Sequence, residues 1–74
     1  MSSATAVTDH NEIRTWAEKN NGHPACVQGT GEGDDPGVLR IDFDQQEEGL
    51  SRISWKKWFE WFDKNELALL KSDD

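Results

Sequence analysis

His23 and Cys26 are separated by two residues, a spacing at which zinc can take paired ligands, and His10 is available as a third. A structural zinc site takes four such ligands, whereas this chain has one cysteine and two histidines. The pair therefore reads as a loop histidine beside a buried thiol. Gly29, Gly31 and Gly33 make a G-x-G-x-G run, but a strand pattern follows it instead of a helix, and Glu32, Asp34 and Asp35 would repel a phosphate. Those carboxylates also lack the D-x-D-x-D-G spacing of a calcium loop. Neither histidine has the neighbouring serine or aspartate that would mark a nucleophile and its base, and so short a chain has little room for a dry pocket. The expectation is a protein that is not an enzyme and takes no metal or cofactor.

Recognition chemistry is better represented. Residues 54–62 read SWKKWFEWF and hold three of the four tryptophans and two of the three phenylalanines. On a helical wheel Trp55, Trp58, Phe59 and Phe62 form one stripe at i, i+3, i+4 and i+7, while Lys56, Lys57, Glu60 and Asp63 cover the opposite side. The stripe reads as core. Trp61 falls roughly 60° beyond Trp58 by the same arithmetic, at the stripe's edge. It is the ring expected to stay partly in water and to contact a partner, since Trp is enriched among interface anchors.

The other candidate contacts are acidic. Fifteen acidic and eight basic residues leave a net charge of −7. That field disfavours direct binding to nucleic acid or an anionic membrane surface and favours a protein partner with a basic surface. Glu32, Asp34 and Asp35 in one loop and Glu47 and Glu48 in another join Trp61 as the candidate partner-binding residues. A second reading uses the carboxylates, with Asp42 and Asp44 added, as phosphate mimics that would block a DNA- or RNA-binding protein. Arg40, Arg52, Lys56 and Lys57 interrupt such a field. A single cysteine and the lack of a signal-like or membrane-spanning stretch point to the cytoplasm.

These side chains need elements to position them. Asp9 can cap a helix over about residues 10–20, with Glu12 reaching back, Ile13, Trp16 and Ala17 on one face and Gly22 as the left-handed stop. Ala25–Gln28 reads as a short strand after Pro24. GVLRIDF alternates, with Leu39, Ile41 and Phe43 on one side and Arg40 and Asp42 on the other. The two strands are expected to pair antiparallel across the glycine-rich loop. Ser54 caps the aromatic helix, Ile53 can staple against Trp58, Asn65 can take the left-handed end, and Leu67–Leu70 supplies a last strand or a helical extension. The predicted fold is a small single α+β domain, α-β-β-α-β, with two helices on one face of a short, mainly antiparallel sheet. Its expected limits are a loose tail over 1–8, the domain over 9–71 and a C-terminal tail over 72–74.

Three blocks, DHNEIRTWAEKNNGHPACVQGTG, GVLRIDF and ISWKKWFEWFDKNELALL, resemble a group of short bacterial proteins of unknown function. The running pattern is D-H-x-x-I-R-x-W-A-E, G-x-P-A-x-V-x-G-T, G-V-L-R-I-D-F and I-S-W before an aromatic helix. It spans roughly residues 9–70, departing at Asn21-Gly22, where Gly-Gly is usual, and at Lys56 and Lys57, where acidic residues are usual. The resemblance implies a shared fold and brings no catalytic set with it.

Overall fold

Two capped helices and five strands follow one another as β1 (Ala4–Val7), α1 (His10–Lys19), β2 (Gly22–Val27), β3 (Leu39–Phe43), β4 (Leu50–Arg52), α2 (Trp55–Lys64) and β5 (Leu69–Ser72). The computed structural model describes residues 4–43 and 47–72. Both helices start where a side chain can accept a free backbone N–H. Asp9 Oδ1 accepts from the Glu12 N–H at 2.9 Å, and Ser54 Oγ from the Lys57 N–H at 3.1 Å. Glu12 does not reach back to complete a capping box; its carboxylate stands 3.5 Å from Lys71 Nζ, tying α1 to β5. Both helices end at an asparagine whose side-chain amide donates to a carbonyl one turn back, Asn20 to Trp16 at 2.8 Å and Asn65 to Trp61 at 3.0 Å. The left-handed residues are Asn21 (φ 60°) and Glu66 (φ 52°), not Gly22 and Asn65 as the sequence suggested.

Gly22 is needed for space instead. A Cβ on it would lie 2.7 Å from Ile41 Cγ2, 3.0 Å from Phe43 Cε1 and 3.1 Å from the Ala17 carbonyl oxygen. Helix α1 therefore closes onto the sheet over a bare Cα. Gly22→Ala is expected to lower stability by about 1–3 kcal/mol through overpacking. Urea denaturation measures this, and an unchanged midpoint would show that α1 is free to ride up.

The strands form two antiparallel sheets where one was expected: a three-stranded sheet in the order β3-β2-β4, and the pair β1-β5. The α+β class and the antiparallel β2–β3 pairing agree with the sequence. Three placements do not. Residues 4–7, taken as part of a loose tail, are a strand paired with β5 from Ala4↔Ser72 to Val7↔Leu69, and Val7 is buried in the core. The last strand runs over Leu69–Ser72 and not over 67–70, so Ser72 belongs to the sheet. Strand β4, three residues long, carries little alternation and was not anticipated. Of the remaining tail residues, Thr8 lies between β1 and α1, and 1–3 and 73–74 lie outside the described residues.

Strand β2 also starts earlier than expected and contains Pro24, although proline is rare in a central strand. The hydrogen-bond parity explains how it is tolerated. Val27 N–H donates to the Val38 carbonyl at 2.8 Å, so in this register the Cys26–Leu39 and Pro24–Ile41 pairs exchange no ladder bonds. On the other side, Ile53 N–H donates to the Pro24 carbonyl at 2.9 Å, and Pro24 has no N–H to return. The β4 ladder stops there.

Val7, Ile13, Trp58, Phe59 and Phe62 make the buried cluster, with Leu39, Ile41, Ile53, Trp55 and Leu69 packed around it. Trp58 lies edge-on to Phe59 and stacks on Phe62 with centroids 5.0 Å apart. The ring of His10 stacks on Phe59 at 4.1 Å while its Nε2 is 2.8 Å from Asp63 Oδ1, which joins the start of α1 to α2. Trp55, expected inside, is half-buried and stacks on Phe59 at 5.3 Å.

Burial along β3 departs from its alternation. Phe43 is 42% exposed, edge-on to Trp16, whereas Asp42 is 2% exposed. Asp42 lies on the face away from the aromatic core, where Arg52 Nε donates to its Oδ2 at 3.1 Å and the Glu47 N–H to its Oδ1 at 3.3 Å. A covered second face was not visible in the sequence, since it depends on the connection between β3 and β4 returning Glu47 to this carboxylate.

Candidate functional site

The end of the aromatic helix forms the floor of an open groove of about 540 Å³. Trp58 and Phe62 make the floor. Gly37, Val38 and Leu39 form one wall, and Leu67, Ala68 and Leu69 form the other. Thr30, Asp35 and Asn65 supply its polar rim. Val38 is 48% and Leu67 41% exposed, and Leu70 beyond them is 71% exposed. An apolar surface of this kind with a polar rim is the usual form of a docking site.

Local chemistry builds both walls. Glu32 and Asp35 exchange backbone hydrogen bonds at 3.0 Å, Asp35 Oδ1 accepts the Gly37 N–H at 2.8 Å, and Thr30 Oγ1 accepts the Val38 N–H at 2.9 Å. Gly37, at φ 91°, turns the chain where a side chain would collide with Thr30. On the opposite side, left-handed Glu66 breaks the run of α2, and Leu67 N–H donates to the Phe62 carbonyl at 3.0 Å. Leu67 and Ala68 are thereby held outside both helix and strand.

The expected contact residues are distributed over three places. Trp61 is half-buried, with Lys64 Nζ 4.5 Å above its ring centroid, and it shares a shallow hollow with Asp34, Lys57 and Glu60. Of the acidic loop, Asp34 is the residue that lines this hollow with Trp61. Asp35 belongs to the groove, next to the hollow along α2. Glu32 is exposed in the same loop. Glu47 and Glu48 are elsewhere, lining a depression with Val27, Arg40 and Leu50. The structure does not bring them to Trp61.

Of the groove residues only Asp35 is a contact candidate in the sequence; Val38 and Leu67 read there as strand, and Trp58 and Phe62 as core. The available signal was arithmetic: a four-residue apolar run at 67–70 following a helix stop has more leucine than a short strand can bury on one face.

His23 is exposed and Cys26 buried, and a separation of three positions in a strand points them to opposite faces of β2. Among the described residues no three His, Cys, Asp or Glu side chains gather where a metal ion could be held. No helix among the described residues is long and apolar enough to cross a membrane. Comparison with protein-family models, curated proteins and solved structures finds no match to this chain.

Proposed function

We propose that this protein is a small acidic interaction module, without catalytic activity of its own, that holds a partner protein in the groove over Trp58 and Phe62. The observation that carries the reading is the exposure of Val38 and Leu67 on the two walls of the groove, in a chain whose net charge is −7. A domain this small uses its large side chains for its core, so leaving two aliphatic residues in water across one groove has a cost that a partner would recover. Asp35 lines the groove, and Glu32, Asp34 and Glu66 are exposed in the segments that lead into its two walls, a negative setting that suits a partner with a basic surface. Trp61 lies at its margin and extends the contact along α2.

The nucleic-acid-mimic reading has less to support it. Asp42 is buried against Arg52, and Asp35 is turned into the Gly37 N–H, which withdraws two carboxylates from any exposed row. Asp44 lies outside the described residues.

Affinity capture from the source cell tests the proposal in parallel arms: the unmodified protein, Val38→Glu with Leu67→Glu, Trp61→Ala, and Glu32→Gln with Asp34→Asn. The expected result is one partner lost by the groove variant, weakened by Trp61→Ala, and made salt-sensitive by the acidic loop. A partner retained equally by the groove variant would move the binding surface elsewhere.

A further inference from the structure

The wall of the groove formed by Leu39 is also the free edge of a sheet. Among the described residues strand β3 is paired with β2 on one side only. The Val27–Val38 bond sets the parity of the ladder, so the N–H and C=O of Arg40 face β2 and those of Leu39 and Ile41 face away from it. Among the described residues these four outward groups have no hydrogen-bond partner. The same two residues turn their side chains toward the aromatic core. Leu39 also lines the groove, so the open ladder groups at the start of β3 stand beside it, while Ile41 continues the edge toward the depression that holds Glu47 and Glu48.

We propose that the partner segment binds as an added strand: an extended stretch lies antiparallel or parallel along β3, bonds to Leu39 and Ile41, and places alternate apolar side chains in the groove between Val38 and Leu67. This rests on the groove being the docking site. Period-two alternation is what such an edge selects, because every second side chain of the incoming strand faces the groove and the others face outward. Charge chooses the occupant. Glu32, Asp34 and Asp35 lie in the loop that leads into β3, and the exposed Glu66 immediately precedes the other wall in the chain, so lysine or arginine flanking the apolar residues is favoured. A second copy of the chain would instead bring another net charge of −7 to the same acidic rim.

The test uses a probe peptide, acetyl-Lys-Lys-Leu-Thr-Leu-Thr-Leu-Lys-Lys-amide, titrated into the full chain and followed by amide NMR. The expected result is binding that slows solvent exchange of the Leu39 and Ile41 amides and is weakened about tenfold or more by Leu67→Glu or Val38→Glu, both at exposed positions. N-methylation of either all leucines or all threonines should abolish it, and the other pattern should not, since only one set of amides faces the ladder. If the peptide binds in the groove but both methylated forms bind as well as the parent, strand addition is overturned and the docking site stands. If replacing the leucines by serine leaves binding intact, or if none of these peptides binds, strand addition is overturned, and in the first case the docking site is overturned with it. Equal binding when the lysines become glutamates overturns the basic partner. A dimer in sedimentation with Leu39 and Ile41 already protected overturns it in favour of a second copy.

Discussion

Trp58→Ala is expected to destabilise the domain by about 3–5 kcal/mol, enough to unfold much of the population, because small domains have little stability in reserve. Trp58 is 2% exposed, contacts Trp55, Phe59 and Phe62, and is also tethered through its Nε1–H to the Arg40 carbonyl at 3.0 Å. Removing the ring opens a cavity under both sheets at once. Trp61→Ala, three residues on, should cost about 1 kcal/mol, since Trp61 is half-buried and one face is covered only by Lys64. Thermal melts of the two variants decide the matter without any partner. A larger loss for Trp61→Ala would put that ring in the core and remove it from the docking surface. Trp58→Phe separates packing from the hydrogen bond: it keeps an aromatic floor and should lose about 1 kcal/mol for the missing donor, plus the difference in ring volume.

Arg52→Ala is expected to cost about 3 kcal/mol, more than Asp42→Ala, although the two residues form a single ion pair. The asymmetry follows from their burial. The Asp42 side chain is 1% exposed and that of Arg52 33%. Without Arg52, the carboxylate stays inside with one backbone N–H at 3.3 Å as its remaining partner among the described residues. Without Asp42, the guanidinium can turn to water, and the loss should be nearer 1–2 kcal/mol. Urea denaturation of both single variants and the double variant measures the difference and the coupling between them. If the two single losses are equal, Arg52 is not what makes the buried carboxylate tolerable. The pair matters beyond stability, because Arg52 ties β4 to β3 through Asp42, and the other oxygen of the same carboxylate holds Glu47.

The apolar periodicities were informative wherever burial is decided within one element. SWKKWFEWF determined its own helix, its Ser54 cap and the three rings that are buried, because a stripe at 3.6-residue spacing has one way to leave water. GVLRIDF likewise determined a strand, and Asp9 the start of α1. Trp61 was placed by the same wheel, and the structure leaves it half-buried beside the acidic loop.

What the chain pairs with at a distance was not legible. ATAV has no alternation or charge pattern of its own, and it is a strand because Leu69–Ser72 offers it a ladder and the aromatic cluster takes Val7. Asp42 reads as a solvent-facing residue of an alternating strand, and only the return of Glu47 and Arg52 to its carboxylate buries it. Phe43 reads as core, but it lies past the reach of α2, where Trp16 covers one edge of its ring. The groove belongs to the same class of fact. Its floor was predictable from the helical stripe, whereas its walls require two segments, 37–39 and 67–69, that are far apart in sequence and are set by a left-handed turn at Glu66 and a glycine turn at Gly37. Local periodicity determines which face of an element leaves water; which strand edges stay open, and what stands beside them, is decided by pairings between distant segments, and here those pairings leave the edge of β3 free above an aromatic floor.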